Sequence, residues 1–359
     1  MDQKSTPIKT ILVRAPNWIG DQILAYPFFF HLRNAYPSAK IISVCVPWVK
    51  SIQYKGLVDE VVVLPVEKGA YRKLHALKET ARSIRRIHGS IDIAFSLPNS
   101  FSSALLLFLT RASQRVGYSG DLRSFLLTHR PLQDNEKHRS VTYLDLLAAR
   151  HSVEGELVFP KTEAEFRSLG WNIQAGLTLT NTLPESYFVF APGSQAESRR
   201  WPEDRFLELS DLLWSSLRIK TVLVGGPKEA PLAERMSRGR QEWVVDAVAK
   251  TEVAGLVPVL MGAKGVIAND SGLAHLASFC GARVVIPWGA GDPRHTLPLG
   301  PGRVEHRVHV VECWPCEKNL CRFTDSRRNQ CLNGLTVEAM WELVSADEEE
   351  GDLWLSSKN

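Results

Sequence analysis

Twice along this chain, short runs rich in β-branched and apolar residues alternate with stretches of helical period. That alternation commits each series to a parallel sheet with helices packed on it. In the first series Thr10–Val13, Lys40–Val46, Glu60–Leu64 and Ile91–Phe95 read as strands. Helical patterns lie between or after them at Asp21–Tyr36, Tyr71–His88 and Ser100–Thr110. In the second series the strands are Tyr187–Ala191, Lys220–Val224, Trp243–Asp246, Gly265–Ala268 and Arg283–Pro287. Helices near Pro202–Leu217, Pro231–Arg238, Glu252–Met261 and Leu273–Phe279 connect these. The stretch from about Ser152 to Ser186 lacks the rhythm and carries Gly, Pro, Thr and Asn, as a linker does. Doubly wound domains bind ligands at the carboxyl ends of their strands, so a cleft between two of them is the expected site.

At 359 residues the chain has room for two cores, and 44% apolar with 23% charged residues is ordinary globular composition. No apolar run reaches the length of a membrane span, and the polar start Met1–Thr6 leads straight into a strand. Neither a signal peptide nor a transmembrane helix is expected, and the expected location is the cytoplasm. The net charge of +4 is unevenly spread. Residues 1–165 carry 22 Lys+Arg against 15 Asp+Glu, a net of +7, while the remainder carries 21 against 24, a net of −3. A basic first half suits an anionic lipid, a phosphorylated substrate or nucleic acid, or is scattered surface charge. A non-catalytic nucleotide- or nucleic-acid-binding protein fits that charge too, although no aromatic-rich RNA motif accompanies it.

Four loops carry the chemistry. Gly265–Ala277 reads as a buried strand that breaks at Asn269-Asp270-Ser271-Gly272 and opens a helix. Asp270 or Ser271 can cap that helix, leaving amides near Ser271 and Gly272 at its positive end for a phosphate. His275 lies one turn on and can face the same guest, or it is a packed histidine on a capped helix. Ala191–Pro202 joins a glycine turn, Ser194 and Gln195 to the pair Arg199-Arg200, whose guanidinium groups suit a pyrophosphate or a solvated surface. Val224–Glu229 ends the next strand, and Glu229 could accept from ribose hydroxyls. In the first half, Arg14–Asp21 has one glycine and so is not a dinucleotide fingerprint. Asp21, at a helix start, is either a general base for an acceptor hydroxyl or a cap.

Together with Ser96–Ala104, Arg115–Tyr118 and Cys313-Trp314-Pro315-Cys316, these motifs give residues 10–345 a resemblance to bacterial ADP-heptose:lipopolysaccharide heptosyltransferases of glycosyltransferase family 9. The Asn17–Asp21 signature and the Cys-x-Pro-Cys segment resemble the branch that adds the second heptose. The resemblance implies an α/β GT-B fold, two Rossmann-like doubly wound domains facing across a cleft. It places an acceptor-binding domain at 1–165, a linker at 166–186, an ADP-sugar donor domain at 187–340 and an acidic tail at 341–359. It implies inverting transfer of heptose from ADP-heptose to an anionic, lipid-anchored lipid A–Kdo–heptose type of acceptor, with no nucleic acid partner. Asp21 matches the general base. Arg199 stands where relatives usually have lysine and would stabilise charge on the departing ADP. Ser194, Gln195, Glu229, Asp270, Ser271, Gly272 and His275 are the expected donor contacts. Arg14, Asn17, Asn99, Ser100 and His138 are the expected acceptor contacts. No Asp-x-Asp pair occurs in these loops, so a metal-independent mechanism with no obligatory cofactor is expected. Peripheral contact with the inner membrane is also expected. Tyr71–His88 offers one surface for it, having an apolar stripe at Leu74, Leu77, Ala81, Ile84 and Ile87 with Lys73, Lys78, Arg82, Arg85 and Arg86 largely off it.

Cys313, Cys316, Cys321 and Cys331 follow a C-x2-C-x4-C-x9-C spacing that a four-thiolate zinc or iron–sulfur site could use. Reduced thiols ordering a basic loop near the acceptor are the favoured reading, since a cytoplasmic setting disfavours disulfides.

Overall fold

The structure, a computed structural model, describes residues 7–120, 122–151 and 157–346. It divides into two units between Asn172 and Ile173, inside the stretch expected to link them.

In the first unit the strands are β1 (Thr10–Arg14), β2 (Lys40–Cys45), β3 (Glu60–Val63), β4 (Ile93–Ser96) and β5 (Gln114–Val116). All pair in parallel in the order β3-β2-β1-β4-β5. Its helices are α1 (Ile19–Leu24), α2 (Tyr26–Ala35), α3 (Ala70–His88), α4 (Phe101–Leu109), α5 (Arg139–Ala148) and α6 (Glu163–Ser168). Helix α7 (Gln174–Thr180) opens the second unit. The second sheet comprises β6 (Tyr187–Ala191), β7 (Lys220–Leu223), β8 (Val244–Asp246), β9 (Gly265–Ala268), β10 (Val284–Trp288) and β11 (Val304–Val308). They too are parallel, in the order β11-β10-β9-β6-β7-β8. Helices α8 (Glu203–Leu212), α9 (Ala230–Ser237), α10 (Val257–Met261), α11 (Gly272–Phe279), α12 (Pro293–Thr296), α13 (Gln330–Asn333) and α14 (Val337–Ser345) complete it.

Both sheets wind outward from their first strand, so each has one switch point, between β1 and β4 and between β6 and β9. Loops leave the sheet in opposite directions there and open a crevice at the carboxyl edge. Strands β6 and β10 are buried along their whole length, as expected of parallel strands covered on both faces.

Several elements depart from the sequence reading, each for a physical reason. The expected helix Asp21–Tyr36 is two helices, because Pro27 lacks an amide hydrogen and can sit only in the first turn of α2. The 166–186 stretch is not featureless: α6, with a Thr162/Glu165 capping box, and α7 occupy part of it. Strands β5 and β11 are short, polar edge strands with little apolar patterning. Helix α3 buries Leu77, Ala81 and Ile84 but leaves Leu74 and Ile87 exposed. A 19-residue helix is ~28 Å long and a four-residue strand ~13 Å, so the ends of α3 overhang the sheet. The acidic tail lies outside the described residues beyond Ala346, and α14 runs into its start.

Both units bury aromatic rings, Phe28, Phe29, Tyr54 and Phe95 in the first and Phe188, Phe190 and Phe206 in the second. Phe206 is fully buried, with its ring edge-on to Trp201 at 5.0 Å and to Phe190 at 5.8 Å. Phe206→Ala is expected to cost about 3–5 kcal/mol, read as a lower denaturation midpoint by tryptophan fluorescence.

Candidate functional site

At the β6–β9 switch point Asn269, fully buried, organises the loop after β6. Its Nδ2 donates to the Pro192 carbonyl at 2.6 Å, and its Oδ1 accepts from the Trp201 amide at 3.0 Å. The loop between is folded back on itself, with Arg200 Nε donating to the Ser194 carbonyl at 2.7 Å. Ser194 Oγ donates to the Asp270 carbonyl at 3.2 Å, which brings the hydroxyl beside the start of α11.

Asp270 is 2% exposed, and its Oδ2 lies 3.1 Å from Arg199 Nη1. Its carboxylate therefore faces Arg199, and the Ser271 side chain, at the N-cap of α11, makes no capping bond. A buried carboxylate needs a charged partner, which the guanidinium supplies. The start of α11 brings first-turn amides and the positive end of the helix dipole to the same place. Gly291 forms the far wall, where an added Cβ would stand 2.6 Å from Asp270 Oδ2. His275, 5% exposed, is packed inside the fold beneath that turn. Gln195 is exposed at the loop's crest.

Glu229 joins the same group of loops. Its Oε2 accepts from the Gly226 amide at 2.8 Å, and its Cγ would lie 2.8 Å from a Cβ at Gly193. The Glu229 side chain thus lies close against the loop after β6. Thus Ser194, Arg199, Glu229, Asp270, Ser271 and Gly272 share one carboxyl edge.

In the first unit Asp21 sits in the first turn of α1, half-buried, after a Trp18 N-cap that makes no side-chain capping bond. Tyr143 of α5 is buried, and its phenol is pushed well above its ordinary range, first by burial and then by the Asp21 charge. The tyrosine thus stays neutral beside the aspartate. Arg14 is 3% exposed, with burial holding its guanidinium down to about 10. It donates to the carbonyls of Ala15 and Val44 and to Asn17 Oδ1, so the structure assigns it to holding the loop. Trp48 Nε1 donates to the Asn17 carbonyl at 2.6 Å, leaving both indoles, Trp18 and Trp48, substantially exposed beside Asp21.

Ser100 caps α4 through the Ser103 amide at 3.2 Å, and His138 caps α5 through the Ser140 amide at 3.3 Å. These two expected acceptor contacts therefore have helix-capping tasks. Asn99 is exposed and is held by Arg123, which sequence reasoning missed. Arg123 is 1% exposed and donates to the Pro98 carbonyl at 3.0 Å and to Asn99 Oδ1 at 2.8 Å. Nothing local marks an arginine in an irregular loop for that task.

Cys313, Cys316, Cys321 and Cys331 are free thiols lining one cavity of about 60 Å³ with Arg327 and Phe323. Among the described residues no group of three or more His, Cys, Asp or Glu side chains is arranged to hold a metal ion. The cysteines share a cavity without forming a ligand set there. Backbone bonds tie their segment to the loops after β10 and β6: Glu317 N to the Ala290 carbonyl at 2.8 Å and Ser198 N to the Asn319 carbonyl at 3.3 Å. Trp314 Nε1 adds a bond to the Gly289 carbonyl at 3.0 Å.

A family model for glycosyltransferase family 9 (heptosyltransferase) matches residues 80–326. The chain belongs to that family. Among curated relatives, the lipooligosaccharide heptosyltransferase 2 of Haemophilus ducreyi is 26% identical over 314 residues, 83% of this chain and 88% of that protein. The lipopolysaccharide heptosyltransferase 2 of Escherichia coli K12 is 26% identical over 322 residues, 84% and 87% of the two chains. The solved structure of E. coli ADP-heptose LPS heptosyltransferase II shares the fold. It has a TM-score of 0.76, 22% identity and coverage of 96% of this chain and all of that one. The family assignment makes this protein a glycosyltransferase. No helix among the described residues is long and apolar enough to cross a membrane.

Burial and the three neighbouring thiols hold Cys331 up at about 11, against an ordinary value near 9. Its neutral form is favoured on folding, so this contribution to stability is intact below pH 9 and lost as pH rises through 11. At pH 8 alkylation of native Cys331 should run about a hundredfold slower than in the unfolded chain, measured by peptide mass spectrometry.

Proposed function

We propose that this glycosyltransferase moves heptose from ADP-heptose onto the inner core of lipopolysaccharide, at the second heptose position. The carrying observation is the start of α11, with Ser271 at its N-cap, beside the Arg199–Asp270 pair at the switch point of the second sheet. That arrangement offers backbone amides, a helix dipole and a guanidinium to a diphosphate within one loop cluster. The names of the relatives supply the sugar and the acceptor class.

In this reading the diphosphate lies on the Ser271–Gly272 turn, with Ser194 and Arg199 beside it, and Glu229 offers its carboxylate to the ribose. Departure of ADP builds negative charge on the leaving oxygen. Arg199 and the α11 dipole stabilise that charge as it forms, which is where electrostatic preorganisation acts most strongly. Asp270 holds Arg199 at its post and is a positioning group. Asp21 accepts the proton of the attacking acceptor hydroxyl, and attack on the face opposite the leaving group inverts the anomeric carbon. The neutral phenol of Tyr143 leaves the Asp21 carboxylate free of a competing charge on that side.

The exposed indoles of Trp18 and Trp48 and the amide of Asn99 are the first-unit groups offered to the acceptor sugars. Flat aromatic faces suit the apolar faces of pyranose rings, and the polar loop ends suit their hydroxyls.

The deciding experiment is transfer to a lipid A–Kdo–heptose acceptor, with the product weighed by mass spectrometry. Addition of one heptose is the expected result, and no product with any such acceptor would sink the reading. Asp21→Asn should lower kcat by about 10²–10⁴ while leaving ADP affinity within twofold. ADP should raise the melting temperature more than UDP or GDP at equal concentration.

A further inference from the structure

Six cysteines lie in this chain, and four of them share one place. Cys45 and Cys280 are buried in the cores of the two units, whereas Cys313, Cys316, Cys321 and Cys331 are half-buried around a single cavity. The segment from His309 to Asn329, between β11 and α13, has neither helix nor strand, and none of its side chains is fully buried. A stretch of that length without a core needs another fastener to hold one shape, and a metal centre is one.

The thiols are not gathered around one point. Among the described residues no three of them are arranged to hold a single ion. Yet the cavity they line is about 60 Å³, roughly four times what one water-sized sphere needs. Thiols spread around a space larger than an ion suit an iron–sulfur core, in which different irons take one or two thiolates each. The C-x2-C-x4-C-x9-C run provides the four sulfurs that both common cores require.

The surroundings suit thiolates better than thiols. The Asn329 amide donates to Cys321 Sγ at 3.4 Å, and sulfur is a weak acceptor until it carries charge. Glu317, directly after Cys316, and Asn329 hold left-handed backbone at φ +50° and +52°, which non-glycine residues do at a cost. Both left-handed turns adjoin the thiols. Arg327 lines the cavity, and the guanidinium carbons of Arg322 and Arg327 lie 4.8 and 4.2 Å from the Phe323 ring centroid. Arg328 is near enough to Cys321 for a charge on that sulfur to act on it, although it is paired with Glu197. Arg322 is exposed and in no ion pair among the described residues. Neutral thiols offer these cations nothing, and an anionic centre does.

We propose that Cys313, Cys316, Cys321 and Cys331 hold an iron–sulfur cluster that fastens this segment. An oxidised 2Fe–2S or resting 4Fe–4S core carries two positive charges and displaces four thiol protons. The site therefore passes from neutral to two negative charges, four protons leave to solvent, and no electron moves in the exchange. The raised Cys331 thiol described above belongs to the metal-free chain. The fastened segment meets the loop after β10 through Glu317 and the loop after β6 through Lys318 and Asn319. The role is structural and does not depend on the proposed transfer reaction.

The test is metal analysis of the whole protein, purified under argon and again after reconstitution with ferric chloride, sodium sulfide and dithiothreitol. The dithiol supplies the electrons that a 4Fe–4S core needs when it is built from ferric iron. Iron and acid-labile sulfide should be present in equal amounts, about two to four of each per chain after reconstitution, with charge-transfer absorption in the visible. Cys321→Ser and Cys331→Ser should each lose that absorption, while Cys280→Ala keeps it. The wild-type stoichiometry decides without any variant, so poor folding of the serine forms leaves the test intact. Hydrogen exchange across residues 313–329 should slow about tenfold on loading. One zinc and no sulfide in the purified protein would overturn the proposal. So would four freely alkylated thiols with no bound iron after reconstitution, absorption that survives both serine variants, or exchange that loading leaves unchanged.

Discussion

Both ends of the donor-side loop hang on one amide side chain. Asn269 holds the Pro192 carbonyl with its nitrogen and the Trp201 amide with its oxygen, and it does so with no access to water. A buried amide with both ends satisfied is rigid, because losing either bond would strand a desolvated polar group at a cost of about 1–3 kcal/mol. Everything the loop presents is placed from those two anchors: the Ser194 hydroxyl against the carbonyl of Asp270, and Arg199 against its carboxylate. An aspartate at position 269 would lack the donor for Pro192, and a leucine would lack both bonds.

The electrostatic arrangement follows from the same point. Asp270 is too deeply buried to remain charged alone, and Arg199 answers it while keeping a quarter of its side chain exposed. An arginine can do both because its guanidinium has five donors in one plane. A lysine there would hold one carboxylate oxygen or one phosphate oxygen less selectively. The carboxylate it meets lies close against Gly291, where an added Cβ would stand 2.6 Å from Asp270 Oδ2.

The strands and the chemistry-bearing loops were legible in the sequence because parallel strands buried on both faces leave long apolar runs, as in Tyr187–Ala191. A loop at such a strand's carboxyl end is exposed to the crevice whatever its details. What escaped was set by distance in space. Arg123 serves Asn99 from 24 positions away, and Tyr143 reaches the charge of Asp21 from a different helix. Asp270 reads as a cap in one dimension, since its partner Arg199 is brought to it only when β6 and β9 pair. Ser100 and His138 stand at helix starts, and capping is what that position most often asks of a side chain.

The cysteine-bearing segment between β11 and α13 contains neither helix nor strand, and it is fastened at Ser198, Gly289 and Ala290. Those anchors flank Arg199 on one side and Gly291 on the other. Opening of the thiol segment would break the bonds at Ser198 and Ala290, the immediate neighbours of Arg199 and Gly291. Hydrogen exchange in residues 313–321 is therefore a direct probe of how firmly the Arg199–Asp270 pair is backed.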